Sequence, residues 1–182
     1  PLHCWYNVES FRLCGAVRRM PLFAFGGIAM KKKKDPSELK ICLVGSSGGH
    51  LTHLYMLKPF WEGKDRFWVT FDKEDARSLL EGERFYPCYY PTNRSLKALI
   101  KNTKIAWRVL RKEKPDLIVS SGAAVAVPFF YLGKLMGAKT VYIEVFDRID
   151  KPTMTGKMVY PVADRFIVQW DEQKQVYPKP VN

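Results

Sequence analysis

The residues with the most obvious capacity for chemistry are Gly45-Ser46-Ser47-Gly48-Gly49-His50. They follow a short apolar run, residues 41–44, and precede a helical pattern that begins near Leu51. Glycines let the backbone turn tightly there, and the free N–H groups of a helix start attract an anion. Ser46, Ser47, Gly48 and Gly49 are therefore candidate contacts for a phosphate or diphosphate. The run is not a Walker loop, because His50 stands where the second glycine of G-x-x-x-x-G-K-[ST] is required and no lysine follows. It is not G-x-G-x-x-G either, although Asp72 beyond the second strand leaves a dinucleotide site open. The plainer alternative is a tight turn with no ligand, but three glycines and two serines exceed what a turn needs. His50 and His53 are spaced to be neighbours on one helix face. Two histidines without a third ligand make a poor metal site, so no metal is expected. His50, at the helix mouth, is the candidate general base or orienting group for an acceptor hydroxyl, and His53 reads as a packing residue.

Three further stretches carry candidate function. Ser120-Ser121-Gly122-Ala123-Ala124 ends another apolar run, and its small residues permit close backbone approach, making Ser121, Gly122 and Ala123 a second set of diphosphate contacts. Tyr142-Ile143-Glu144-Val145-Phe146-Asp147-Arg148 places three charges just past a buried run; Glu144 and Asp147 are candidates for sugar hydroxyls and Arg148 for an anion. Within residues 95–112, Leu96, Leu99, Ile100, Thr103, Ala106, Trp107 and Leu110 follow helical spacing and are expected to face the core. Lys97, Lys101, Lys104, Arg108 and Arg111 form a separate stripe, uninterrupted by an acid until Glu113. A solvated helix gains i,i+4 pairs by mixing signs, so an all-basic stripe points to an anionic membrane surface, with a merely solvated face as the alternative.

These residues need elements to position them. Short β-branched or aromatic runs at 41–44, 67–70, 85–89, 117–120, 140–143 and 166–169 alternate with helical patterns at 51–60, 73–80, 95–112, 127–136 and 155–162. That alternation predicts an α/β fold, a Rossmann-like parallel sheet with helices on both faces. Right-handed crossovers then bring the C-terminal ends of all strands, and hence the candidate loops, to one edge.

Composition bounds the rest. At 182 residues the chain suits one substantial core, predicted as a Rossmann-like domain over residues 40–182 after an irregular segment, 1–39. Met30 is a candidate natural start, which makes 1–29 upstream sequence; the alternative is an interfacial anchor inserting Leu22, Phe23, Phe25 and Ile28, against which Gly26-Gly27 weigh. The net charge is +12, half of it in residues 1–34, where seven Lys/Arg face one acid, Glu9. Such an excess selects polyanionic partners without choosing among them, but no motif for reading nucleic acid is present. Cys4, Cys14, Cys42 and Cys88 lack metal-site spacing and read as reduced thiols of a cytosolic protein. No stretch approaches the roughly 20 apolar residues that span a bilayer.

Five stretches in order, 44–54 (VGSSGGHLTHL), 68–75 (WVTFDKED), 115–128 (PDLIVSSGAAVAVP), 143–151 (IEVFDRIDK) and 155–170 (TGKMVYPVADRFIVQW), resemble the acceptor-side subunits of split bacterial polysaccharide glycosyltransferases. The same stretches are similar to the eukaryotic asparagine-linked-glycosylation subunit that anchors the dolichol-diphosphate GlcNAc transferase, and more distantly to the N-terminal half of the GlcNAc transferase that makes lipid II. The resemblance implies the N-terminal half of a GT-B enzyme, inactive alone, peripheral on the cytoplasmic face of the plasma membrane. It implies a polyprenyl-diphosphate-linked saccharide as ligand, a catalytic UDP-sugar-binding subunit as partner, a role in capsule or exopolysaccharide synthesis, and no cofactor. The second loop is poorer in glycine than that of the lipid II enzyme. The chain stops soon after Tyr177-Pro178, where the resemblance leads one to expect a short partner-holding tail.

Overall fold

A computed structural model describes residues 34–92 and 95–178. Six parallel strands, β1 (Ile41–Val44), β2 (Arg66–Phe71), β3 (Phe85–Cys88), β4 (Leu117–Ser120), β5 (Lys139–Ile143) and β6 (Arg165–Ile167), form one sheet in the order β3-β2-β1-β4-β5-β6. The chain runs outward from β1 in both directions, so a crevice opens between β1 and β4, the position where open α/β sheets take ligands. Val44 pairs with Ser120 across it, which starts the two glycine-bearing loops at the same level.

Helices cover both faces. On one, α1 (Gly49–Met56), α2 (Lys58–Trp61) and α3 (Glu74–Leu79) bury Leu51, Leu54, Trp61 and Ala76 against Leu43, Trp68 and Ile143. On the other, α4 (Leu96–Glu113), α5 (Ala126–Leu135) and α6 (Met154–Val159) pack Val109, Leu110, Phe129, Phe130 and Val159 onto Phe67, Val69, Ile118 and Tyr142. The single helix expected over 51–60 is two, broken at Leu57, because Pro59 has no N–H to give to an uninterrupted ladder and sits instead in the first turn of α2. Cys42 and Cys88 are free and buried; burial raises both thiols, that of Cys88 to about 12, so neither is a nucleophile. Cys4, Cys14 and the candidate N-terminal anchor lie outside the described residues.

The orientation of α4 differs from expectation. Its buried face is Ala98, Asn102, Ala106, Val109, Leu110 and Glu113, whereas Leu96, Ile100 and Trp107 point outward, Leu96 with 76% of its surface exposed. The polar members of the inner face account for the rotation. The Asn102 amide donates to the Tyr89 carbonyl and accepts from the Tyr89 N–H, and Glu113 receives Lys40 at 2.6 Å and the Tyr86 hydroxyl. Turning either outward would leave buried backbone or cationic groups unpaired, a cost that keeps the large apolar residues in the outer row. Leu110→Ala should lower unfolding stability by about 2–5 kcal/mol, as for other buried leucines. Leu96→Ala should change it by less than ~0.5 kcal/mol. Paired denaturation curves check this, and a large loss for Leu96→Ala contradicts the outward face.

Candidate functional site

The candidate site forms where the loops after β1, β4 and β5 meet at the C-terminal edge of the sheet. His50 stands in the first turn of α1, and its ring crosses the crevice to the loop after β4. Its Nδ1 lies 2.9 Å from the Ser121 carbonyl oxygen, and the Ser121 hydroxyl donates to the His50 carbonyl at 2.9 Å. A carbonyl can only accept, so the proton sits on Nδ1 and the neutral ring keeps a lone pair on Nε2. Burial lowers the His50 pKa, partly offset by the Ser121 carbonyl and by the charges of Asp147 and Glu144. Those causes favour a neutral imidazole near neutrality, with Asp147 close enough to stabilise the cation once a proton arrives. His53 is lowered by burial and then by His50, in keeping with a packing residue.

The loop after β4 is shaped around that ring. Gly122 has φ +134, and a Cβ there would lie 2.5 Å from His50 Cε1, so only glycine allows the approach. Ser120 braces the turn by accepting from the Gly122 N–H at 3.1 Å. Ala123 has φ 70, a left-handed conformation costing a non-glycine residue about 1–2 kcal/mol. Strain in such a loop is common at ligand sites. The side chain of Ser121 is wholly buried and committed to His50, so its expected diphosphate contact is replaced by a positioning role. Gly122 is buried with it, leaving half-buried Ala123 as the open member of this set.

In the loop after β1, Ser46 and Ser47 are half-buried and Gly48 and Gly49 exposed, as an anion-holding backbone requires. The Gly48 N–H, however, donates to the Asp75 carboxylate at 2.7 Å. That amide is therefore already satisfied by a carboxylate. Sequence reasoning gave Asp75 no role, and its place at the end of the matched stretch 68–75 was the available signal.

Of the three charges after β5, the structure separates Glu144 from the others. Glu144 is fully buried; it accepts from Val145 N at 3.1 Å, Thr153 Oγ1 at 2.9 Å and the Tyr177 hydroxyl at 2.7 Å. Burial first, and then the Glu144 charge, push the Tyr177 phenol far above its ordinary range, so it stays a donor. The expected sugar contact is thus corrected: no face of Glu144 is open to a ligand, because the carboxylate ties α6 and the C-terminal segment to β5. Asp147 and Arg148 are exposed. Their loop is held from behind, by Trp170 Nε1 donating to the Phe146 carbonyl at 2.8 Å and Gln173 Nε2 to the Arg148 carbonyl at 2.7 Å. The basic stripe of Lys97, Lys101, Lys104, Arg108 and Arg111 lies outside this site, exposed along α4. Among the described residues no cluster of three or more His, Cys, Asp or Glu could hold a metal, and no helix is long and apolar enough to cross a membrane.

Comparison with known proteins bears on the fold and the family. The human protein titled UDP-N-acetylglucosamine transferase subunit ALG14 is 26% identical over 174 residues, covering 79% of this chain and 81% of its own length. Its namesake from Candida albicans is 28% identical over 173 residues, covering 82% of this chain and 78% of its own. Among solved structures, MurG from Acinetobacter baumannii superposes with a TM-score of 0.62 at 17% identity, over 74% of this chain but 42% of that one. UDP-N-acetylglucosamine 2-epimerase from Rickettsia bellii gives 0.61 at 18% identity, over 78% and 41%. The chain therefore spans less than half of those larger proteins, and the likeness establishes the fold: a Rossmann-like half of the GT-B type. A profile of the family described as "Oligosaccharide biosynthesis protein Alg14 like" matches residues 88–182, more than half of the sequence, and the chain belongs to that family.

Proposed function

We propose that this chain is the acceptor-handling subunit of a two-part, UDP-sugar-dependent glycosyltransferase. It holds a polyprenyl-diphosphate-linked saccharide at a membrane surface and recruits and activates a separate catalytic chain that binds the UDP-sugar. The observation that carries the proposal is the His50 ring, fixed across the switch point by Ser121 beside an exposed glycine loop. The diphosphate lies along the backbone of Ser46, Ser47, Gly48, Gly49 and Ala123, with Asp75 giving up the Gly48 amide. His50 Nε2 takes the proton of the acceptor hydroxyl as its oxygen bonds the anomeric carbon and UDP departs. Asp147 and Arg148 border the sugar. Residues 40–182 serve as the acceptor-binding domain.

The relatives are subunits of a UDP-N-acetylglucosamine transferase, which favours N-acetylglucosamine over galactose or glucuronic acid as the sugar and supports a partner chain. A capsule or exopolysaccharide setting, on the inner face of a bacterial plasma membrane, rests on the resemblance of the five sequence stretches alone. The outer surface of α4, α5 and α6 supports a membrane location. It exposes Leu96, Ile100, Trp107, Tyr131, Leu135, Met154 and Met158, with Lys97, Lys101, Lys104, Arg108 and Arg111 among them, whereas α1 to α3 expose one large apolar side chain, Met56. Basic and apolar groups on one face suit a bilayer surface, the cations meeting headgroups and the apolar row the acyl boundary.

Three outcomes are expected. Gly49→Val should raise the acceptor KM of the reconstituted complex at least about tenfold by blocking backbone approach. Gly49 is the clean position, since a Cβ there meets nothing within 4 Å, whereas Gly48 has φ +80 and any side chain strains it. An unchanged KM removes the loop from the site.

A base acts only when unprotonated. Because the His50 pKa is lowered, kcat/KM should hold as pH falls through the ordinary histidine value near 6.5 and decline only below it. His50→Gln should cut kcat by roughly a hundredfold or more and abolish that acid limb. Persistence of the limb in the variant places the base elsewhere.

Converting Lys97, Lys101, Lys104 and Arg108 to glutamine should weaken flotation with anionic vesicles, since each cation contributes about 1 kcal/mol near an anionic leaflet. The salt-resistant remainder should fall when Leu96 and Ile100 become serine. Flotation unchanged in both variants sinks the membrane role of this face.

A further inference from the structure

The α4–α5 side of the sheet carries a feature at the end of the fold opposite the glycine loops. Both helices start at the C-terminal edge of the sheet and run back to its N-terminal edge, and there a shallow trough along the outer face of α4, with Leu132 of α5 beside it, adjoins a second shallow depression between the end of α4 and the end of α5. Trp107 and Arg111 line both. Leu132 and Met136 continue the apolar wall, and Lys104 and Arg108 stand with Arg111 around it. Thr103 brings a hydroxyl to the lining, but that group already donates to the Leu99 carbonyl at 2.8 Å. The wall therefore offers little with which to read a base, a sugar or a peptide backbone. Among the described residues no carboxylate pairs with Lys104, Arg108 or Arg111. Glu113, at the end of the same helix, is buried and taken by Lys40 at 2.6 Å, Arg84 at 3.5 Å and the Tyr86 hydroxyl.

An apolar trough edged by uncompensated cations matches a ligand with a hydrocarbon tail and an anionic head. We propose that this groove binds one anionic phospholipid drawn from the bilayer. Its acyl chain lies against Trp107 and Leu132, and its phosphate is held by Arg108 and Arg111. The proposal rests on the membrane role of the α4 to α6 face and deepens it: a diffuse surface attraction becomes a defined lipid site, about a sheet length away from the acceptor loops. The groove is continuous with the outward apolar row through Trp107, which is about half exposed.

Dihexanoyl-phosphatidylglycerol, kept below its critical micelle concentration, is titrated into the full chain, with dihexanoyl-phosphatidylcholine and inorganic phosphate as comparisons. The tryptophan emission should change saturably at one lipid per chain, with phosphatidylcholine and phosphate each at least tenfold weaker. Trp107→Phe should remove the optical signal while calorimetry still detects binding. The Arg108→Glu/Arg111→Glu pair should lose at least tenfold in affinity with an unchanged melting temperature. Non-saturating binding, equal binding of both lipids, competition by phosphate alone, or indifference to the charge reversal each overturns the lipid site. Flotation of the same samples with anionic vesicles separates the two ideas. Flotation without monomeric lipid binding overturns the groove and leaves the membrane face standing, and loss of both overturns both.

Discussion

The arrangement depends on the pair of hydrogen bonds that joins His50 to Ser121 across the gap between β1 and β4. The strand order sends the chain away from this gap in both directions, so the two loops have no covalent reason to stay together. Each residue supplies one donor and one acceptor, and with Ser121 buried and His50 partly so, an unpaired polar group there is expensive. The clasp settles the tautomer of His50 and the width of the crevice together. It also explains why the second loop tolerates strain at Ala123 and requires glycine at 122: the ring occupies the space that a side chain would need.

A second anchorage works behind the site. A fully buried carboxylate is costly unless its oxygens are well supplied with donors, and Glu144, with no ion pair among the described residues, has an amide and two hydroxyls at close range. Tyr177 brings one of them from near the end of the described chain, and its ring packs against Tyr160 and Phe166. The loop bearing Asp147 and Arg148 is thereby held at both of its ends and from behind by Trp170 and Gln173. Charged groups on a loop fixed in this way lose little further freedom when a ligand binds, which favours orientation over adaptability.

The two helical layers do different work. On the side of α1 to α3, charges of both signs pair, as Arg77 does with Asp72 and Lys58 with Glu62. On the outer side of α4 the cations form no ion pair among the described residues and stand among exposed apolar residues. Lys101 and Arg111 lie over the rings of Tyr89 and Trp107, which keeps their charges near apolar surface. The inward-facing polar residues Asn102 and Glu113 hold the helix in that rotation, so the surface character of the outer face follows from hydrogen bonds made in the interior.

The sequence alone determined the fold class, all six strands to within a few residues, and the gathering of the candidate loops at one edge, because alternating short β-branched runs and helical patterns admit few other chain paths. It also singled out His50 and the glycine loop, since local backbone freedom and helix starts are properties of neighbours in the chain. What only the tertiary structure decided were relations between distant residues. Apolar periodicity on α4 has two readings, and Leu96, Ile100 and Trp107 were assigned inward because large side chains outweigh Ala98 and Ala106 in any pattern; the backbone of Tyr89 and the cations at Lys40 and Arg84 chose the other face. Glu144 and Asp147 are three residues apart and looked alike, yet Tyr177, more than thirty residues away, covers one and leaves the other open. Asp75 meets Gly48, and Ser121 turns from ligand contact to support, for the same reason: hydrogen-bond partners brought together by packing cannot be read from spacing along the chain.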